Sequence, residues 1–175
     1  PLDELVDNGY VQTDSVTDLV RSLVGMSVRS YAPRPDISTR ESLIDTLLAA
    51  ESIGYSASVS GTYLSQIIFP ALGIWEEIEP KVQRIVTERV AAVVARGDVE
   101  IGFQQVSALL PVEGADFVGV VPLELQSPTT FSAGIMESAP NPYAAQRLIE
   151  YLASESVAEI IESTGLSPVV WEAAQ

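Results

Sequence analysis

The sequence predicts an α/β protein, because segments with strand character alternate with segments with helix character along its 175 residues. Val24–Val28, Ile53–Ser56 and Val99–Phe103 are short apolar runs typical of buried strands. Hydrophobic residues make up 47% of the sequence, which is enough to bury a sizeable core. The length suggests one domain or two small lobes, and the sequence contains no internal repeat.

Two helices are predicted before residue 50. Leu2–Val6 has the spacing of a short helix face and stops at Asn8-Gly9, a good C-terminal cap. Ser38–Glu41 is interpreted as a capping box at the start of the second helix. The buried face of that helix is predicted from the 3, 4, 7 spacing of Leu43, Ile44, Leu47 and Leu48.

The helix-strand alternation continues after the Ile53–Ser56 strand. A helix that ends near Leu72-Gly73 follows it, and another is predicted over Thr87–Arg96 with Gly97 as its terminator. Phe117–Val121 and Thr130–Met136 are further strand candidates. The sheet is therefore expected to continue into the last third of the chain.

The C-terminal part has a different character and predicts a pair of helices. Asn141 is a good N-cap, and Pro142 suits the first helical position, for a helix that runs through Leu152. A last helix is expected to begin at Ser154 or Ser156 and to end at Gly165.

The charge and composition exclude several classes of function. The net charge is -15, with 9 Lys and Arg against 24 Asp and Glu, which would repel nucleic acid. Histidine and cysteine are absent, so the usual nucleophiles, bases and soft metal ligands are missing together. We therefore predict no catalytic residue, no metal and no cofactor. No apolar run reaches the ~18 residues of a membrane span.

Hydroxyl groups are concentrated where the Ile53–Ser56 strand ends and the next helix begins. Glycine lets a ligand approach the backbone closely, and serine and threonine add donors without formal charge. Such a junction predicts an anion site, but the same Ser60 or Thr62 could instead cap its own helix. The candidate ligand-binding residues here are Ser58, Ser60, Gly61 and Thr62.

A second strand-helix junction supplies three more candidates. Thr87 is predicted at a helix start, and Gln104 and Gln105 at the end of the strand that follows this helix. Glutamine amides could donate to a ligand, or could satisfy local backbone groups instead. We expect all three residues to face the same sheet edge as Ser60.

Several segments together resemble the molybdate-binding-protein-like branch of bacterial solute-binding proteins. Their order and spacing cover nearly the whole chain, although each is short. The segments are PRPDIST at 33–39, Leu47–Ile53, Ser60–Leu64, Leu72–Ile74, VARGDVEIGFQQ at 94–105, Leu110–Gly114, Pro122–Gln126 and Gly165–Pro168.

The resemblance implies a type 2 periplasmic-binding-protein fold whose lobes close about a hinge. Such proteins capture a small oxyanion in the periplasm and present it to the permease of an ABC importer, without chemistry. The resemblance places ligand contacts at positions corresponding to Ser60-Gly61, Thr87 and Gln105. Molybdate binders carry an alanine where Ser60 stands and a tyrosine where Gln105 stands, so the resemblance leaves the ligand unidentified.

Members of this family begin with an export signal and two β-α units that are not found in these residues. The resemblance thus implies one complete lobe plus part of a second lobe. Residues 1–28 would be a remnant of lobe 1, residues 29–120 would be lobe 2 between the hinge crossings, and residues 121–175 would return to lobe 1. The exposed helices of an incomplete lobe predict self-association as a homo-oligomer.

Two other functions are consistent with parts of the sequence. Transcription regulators use a similar fold as an effector-binding module, and an upstream DNA-binding motif would favour that function. A serine hydrolase could use Ser60 as nucleophile, but Lys81, the only lysine, would then have to serve as the base.

Overall fold

The computed structural model describes residues 2–169 of the chain. It contains two compact units, a first unit formed by Pro1–Ser22 with Thr129–Gln175 and a second unit formed by Leu23–Pro128. The sequence placed the two crossings after residues 28 and 120, whereas the units divide after Ser22 and after Pro128. The assignment of these segments to lobes stays a prediction.

Eight strands are found within the described residues. They are β1 (Thr17–Ser22), β2 (Val24–Arg29), β3 (Ile53–Ser56), β4 (Val82–Ile85), β5 (Ile101–Gln105), β6 (Ala115–Val120), β7 (Thr129–Ala133) and β8 (Ser167–Pro168).

Nine α-helical segments lie between and after these strands within residues 2–169. They are α1 (Leu2–Asp7), α2 (Arg40–Ala49), α3 (Val59–Tyr63), α4 (Phe69–Ala71), α5 (Trp75–Ile78), α6 (Val90–Arg96), α7 (Val106–Leu109), α8 (Pro142–Leu152) and α9 (Ala158–Ser163). A π-helical stretch, Leu64–Ile68, joins α3 to α4.

The second unit is built on a mixed five-stranded sheet with the order β4-β3-β5-β2-β6. β3 runs parallel to both of its neighbours, β4 and β5, whereas β2 runs antiparallel to β5 and β6. The carboxyl ends of β3, β4 and β5 therefore meet at one edge of the sheet, which we call the strand-end edge.

Apolar side chains cover both faces of this sheet. On one face Phe69 packs edge-on against Phe103, with ring centroids 5.8 Å apart, over the buried leucines of α2. On the other face α6 lies so close that a Cβ on Gly102 would come within 2.6 Å of Val90 and Val94. Glycine at 102 thus permits the close approach of α6, since any side chain there would meet the helix.

The first unit contains a three-stranded antiparallel sheet with the order β7-β1-β8. The predicted cap of α8 is confirmed, because Asn141 Oδ1 accepts a hydrogen bond from Ala144 N–H at 3.0 Å and Pro142 is the first helical residue. Ser15 ties the unit together, since its hydroxyl accepts from Ile135 N–H at 2.8 Å. None of the helices within residues 2–169 combines the length and apolar character needed to cross a bilayer.

Several predicted helix or strand limits need correction, among them the strand predicted at Thr130–Met136, which is Thr129–Ala133. The capping box of α2 is formed by Thr39 and Ser42 rather than by Ser38 and Glu41, since the Thr39 hydroxyl accepts from Ser42 N–H. The helix predicted from Thr87 begins at Val90. The strand predicted at Val99–Phe103 is shifted by two residues, to Ile101–Gln105.

Candidate functional site

The strand-end edge brings the two predicted junctions onto one side of the second unit. Ser56, the last residue of β3, pairs with Ile85, the last residue of β4. On the other side β3 runs in register with β5, with Tyr55 opposite Phe103, so that Gln104 and Gln105 extend to the same edge. The loop of β3 and the start of α6 therefore emerge from neighbouring strands.

Three serines at the end of β3 form a hydrogen-bonded series, which we call the serine chain. Ser56 Oγ lies 2.7 Å from Ser58 Oγ, and Ser58 Oγ lies 2.9 Å from Ser60 Oγ. Ser56 and Ser60 are buried and Ser58 is exposed. Two bonds use only two of the three hydroxyl protons, so the serine chain retains one proton and several lone pairs for a ligand.

Gly61 is required where α3 folds back on β3. A Cβ at this position would lie 1.7 Å from the carbonyl oxygen of Ser56. The helix thus begins in direct contact with the strand end, which holds Ser58 and Ser60 beside Ser56.

Neither Ser60 nor Thr62 caps α3, so the capping alternative is wrong. The N-cap residue is Ser58, and it makes no side-chain capping bond. Thr62 instead donates its hydroxyl to the carbonyl oxygen of Ser58 at 3.1 Å. Ser58, Ser60, Gly61 and Thr62 are therefore brought together, but the Thr62 hydroxyl is already engaged within the loop.

The predicted residues of the second junction have different environments. Gln104 Oε1 accepts a hydrogen bond from Val90 N–H at 3.0 Å, which satisfies the first residue of α6 and leaves its amide protons available. Gln105 is half-buried and pairs with Val24 across the sheet. Thr87 is exposed and lies before α6, not at the helix start. Within the described chain, none of the three is hydrogen-bonded to the serine chain through its side chain.

Sequence reasoning overlooked a cation at this edge. The Arg84 guanidinium reaches the carbonyl oxygen of Ala57, the residue between Ser56 and Ser58, at 3.5 Å. Arg84 occupies β4, whose four residues include only two apolar ones, and its strand was missed for that reason. The sequence carries no local signal for this placement, because Arg84 reaches Ala57 only when β4 pairs with β3.

Glu88, two residues before α6, is already paired with an arginine. Both oxygens of Glu88 accept hydrogen bonds from Arg96, at 2.7 and 2.9 Å, and Arg96 also pairs with Asp98 at 3.0 Å. The hydrogen bonds from Arg96 lower the pKa of Glu88 below its ordinary value of 4.5. The carboxylate of Glu88 is thus held charged and directed toward Arg96. No group of three or more metal-ligating side chains occurs among residues 2–169.

Residues 1–167 match the family model described as bacterial extracellular solute-binding protein. The chain belongs to this family. The predicted periplasmic-binding-protein fold is confirmed by solved structures that share it. The periplasmic molybdate-binding protein of Azotobacter vinelandii superposes with a TM-score of 0.72 at 14% identity, covering 94% of this chain and 73% of that chain.

A second solved member of the fold is the substrate binding protein of an ABC transporter from Agrobacterium tumefaciens. It gives a TM-score of 0.67 at 17% identity, covering 98% of this solute-binding family member and 62% of that chain. Identities this low show the common fold and do not extend to the ligand.

A relative with much higher identity is an aconitate isomerase from Pseudomonas sp. It is 45% identical over 168 residues, which is 96% of this chain and 64% of the relative. The chain thus spans just under two thirds of the relative's length. The sequence predicts a molybdate-like ligand, whereas the name of this relative refers to aconitate.

Proposed function

We propose that this protein is the solute-binding component of an ABC importer and that it binds a small anion rich in oxygen acceptors at the strand-end edge. The observation that carries the proposal is the serine chain, in which Ser58 is exposed between two buried hydroxyls and has a hydroxyl partner on either side. Hydroxyl donors held in a fixed arrangement can bind an anion without a formal counter-charge.

The proposed ligand contacts are the residues predicted from the sequence, with their roles refined by the geometry. Ser58 and Ser60 would donate hydroxyl protons, and Gly61 would let α3 contact Ser56 so that these hydroxyls stay together. Gln104 would donate through its side-chain NH2 group, because only the side-chain oxygen is engaged by Val90 N–H. Thr62, Thr87 and Gln105 complete the proposed set from the two flanking segments.

The proposed location and partner follow from the family. Members described as extracellular solute-binding proteins would work outside the cytoplasmic membrane, here in the periplasm. The partner would be the permease of the importer. Binding, rather than chemistry, would be the activity.

Ligand-dependent stabilisation tests this proposal. The melting temperature would be measured with and without molybdate, tungstate, sulfate, cis-aconitate and trans-aconitate, each at several concentrations. A ligand at 100 times its Kd stabilises the native state by about 2.7 kcal/mol, so a specific anion should raise the melting temperature in a saturable way. If none of the five anions does so, the proposed function is wrong.

Aconitate isomerisation is a second candidate function, favoured by the relative that is 45% identical. Moving the double bond of aconitate requires one group to remove a proton from carbon and a group to return a proton. Glu88, with its lowered pKa and its pairing to Arg96, is a weak base for this purpose. Binding therefore ranks first. Proton NMR of trans-aconitate incubated with the protein separates the two, because only catalysis produces the cis isomer faster than a protein-free sample.

A further inference from the structure

Most cations of this chain are already engaged by the protein. Three arginines form ion pairs with carboxylates, and Lys81 and Arg40 donate to backbone carbonyl oxygens. The three ion-paired arginines are Arg34, Arg96 and Arg147.

Besides Arg40, four arginines, Arg21, Arg29, Arg84 and Arg89, form no ion pair with a carboxylate within residues 2–169, and two of them, Arg84 and Arg89, lie near the strand-end edge. Arg84 is the third residue of β4, and Arg89 is the residue that precedes α6, so that the two flank the segment leaving the strand-end edge. Neither forms an ion pair with a carboxylate inside the range 2–169, and both are exposed.

Arg84 keeps nearly all of its hydrogen-bonding capacity. A guanidinium carries five N–H donors, and the only bond it makes within the described part of the chain is the 3.5 Å contact to Ala57 O. That distance is long for an N–H···O bond, so the contact is weak and leaves the charge of the guanidinium uncompensated. The acceptor belongs to Ala57, the residue between Ser56 and Ser58.

Glu88, which lies between Arg84 and Arg89 in the sequence, does not neutralise their charge. Glu88 gives both of its oxygens to Arg96. In a chain with a net charge of -15, two arginines without carboxylate partners at one sheet edge make a local exception to the overall charge. Exposed charges act over about 8–10 Å before salt screens them, so a local positive region can attract an anion that the whole molecule would repel.

We propose that Arg84 and Arg89 bind carboxylate groups of the ligand and that the site takes a di- or tricarboxylate in preference to a tetrahedral oxyanion. This inference rests on the proposed function. A guanidinium matches a planar carboxylate with two parallel N–H···O bonds, and the serine chain donates to the oxygens that remain. Two arginines flanking one segment suit a ligand that carries more than one carboxylate.

Calorimetric titration with trans-aconitate and with molybdate tests the proposal on the wild-type protein, Arg84→Gln and Arg89→Gln. Loss of one charge-assisted bond should raise the Kd for trans-aconitate by about tenfold or more in each variant. Arg84→Lys and Arg89→Lys should recover part of the affinity, because lysine restores the charge but not the planar fork. The melting temperature of each unliganded variant reports whether it is folded.

Arg29→Gln is the matched control. Arg29 ends β2, which is antiparallel to β5, so Arg29 lies at the opposite edge of the same sheet. Six residues at about 3.3 Å each separate the two edges by about 17–20 Å, beyond the range of exposed charges in salt. This variant removes the same charge and should leave the Kd for trans-aconitate within about twofold of the wild-type value.

The outcomes separate this inference from the proposed function. If the wild-type protein binds none of the five anions of the melting experiment, the proposed function fails, whereas binding of tungstate or sulfate without binding of trans-aconitate overturns only the role of the arginines. If it binds molybdate more tightly than trans-aconitate, or if the folded glutamine variants keep the wild-type Kd for trans-aconitate, the function stands and the role of the arginines is wrong. An equal loss in Arg29→Gln would also overturn the inference, because net charge alone would then explain it.

Discussion

The side chain of Gln126 pairs with both backbone groups of Val24. Gln126 Oε1 accepts from Val24 N–H at 2.8 Å, and Gln126 Nε2 donates to Val24 O at 3.2 Å and also to Val121 O. The side chain is buried, with 6% of the residue exposed. Because Gln126 accepts the Val24 N–H, it joins the first residue of β2 to the chain that leaves β6.

Replacing Gln126 by leucine should destabilise the protein. The substitution leaves Val24 N–H buried without a partner, at a cost of about 1–3 kcal/mol in the free energy of unfolding. Chemical denaturation measures this change. Gln83→Leu is the control, because Gln83 is exposed on β4. A loss for Gln126→Leu no larger than that of the control would show that the buried pairing contributes little.

Replacing Gly61 by alanine should displace the start of α3. A Cβ only 1.7 Å from Ser56 O cannot be accommodated without moving backbone, and overpacking of this kind costs about 1–3 kcal/mol or more. Thermal unfolding and anion titration should both report the damage. Gly119→Ala is the control, since its Cβ would make ordinary contacts of 3.6 and 3.7 Å with Ile37. Equal melting temperatures for the two variants would contradict the geometry described for Gly61.

Replacing Ser58 by alanine should weaken anion binding without unfolding the protein. Ser58 is the exposed middle member of the serine chain, so its removal separates Ser56 from Ser60 and deletes a donor to the ligand. The Kd should rise by about tenfold for a hydrogen bond to a charged ligand. Ser65→Ala removes a hydroxyl that donates to Thr62 O, and it should leave the Kd nearly unchanged. Indistinguishable affinities in the two variants would exclude the serine chain from the site.

The Glu88–Arg96 pair should contribute to acid sensitivity. Its hydrogen bonds lower the pKa of Glu88 in the folded state below 4.5, so the folded state binds this proton less readily than the unfolded chain does. The stabilisation is therefore present above pH 4.5 and is lost as the pH falls through the lowered pKa. Carbon NMR of the side chain should give a titration midpoint below 4.5, and Arg96→Gln should return it toward 4.5. A midpoint unaffected by that substitution would contradict the assigned cause.

Self-association through the C-terminal helices stays a prediction. Tyr143, Leu148 and Tyr151 on α8 are 76, 57 and 56% exposed, and Ile160 on α9 is 63% exposed. Large apolar side chains left exposed on two successive helices favour an interaction surface there. Light scattering over micromolar concentrations should show a dimer or larger species, and Leu148→Lys should shift it toward monomer. A monodisperse monomer at every concentration would contradict the prediction.

Elements whose signals are local could be predicted from the sequence. The Asn141 cap requires only Asn141 and Ala144, and β3 was predicted with its observed limits because all of its pattern lies in four adjacent residues. The start of α6 was misplaced because its first N–H is satisfied by Gln104, a residue 14 positions away that approaches only in the folded sheet.

The site shows the same division between local and distant information. The hydroxyl-rich segment after β3 was visible in the sequence, and the structure joins Ser58 to Ser60 directly. Their connection to Ser56 was missed because that residue was read as the end of a strand. Arg84 was missed because its relation to Ala57 exists only when β4 pairs with β3.

The second unit is one uninterrupted stretch of chain, Leu23–Pro128, whereas the first unit is assembled from two. Gln126 binds Val24, so the entry and exit of that stretch are fastened side by side. The stretch is therefore suited to excision as a cassette, to transplantation into a surface loop of another scaffold, and to circular permutation with a short linker between its ends.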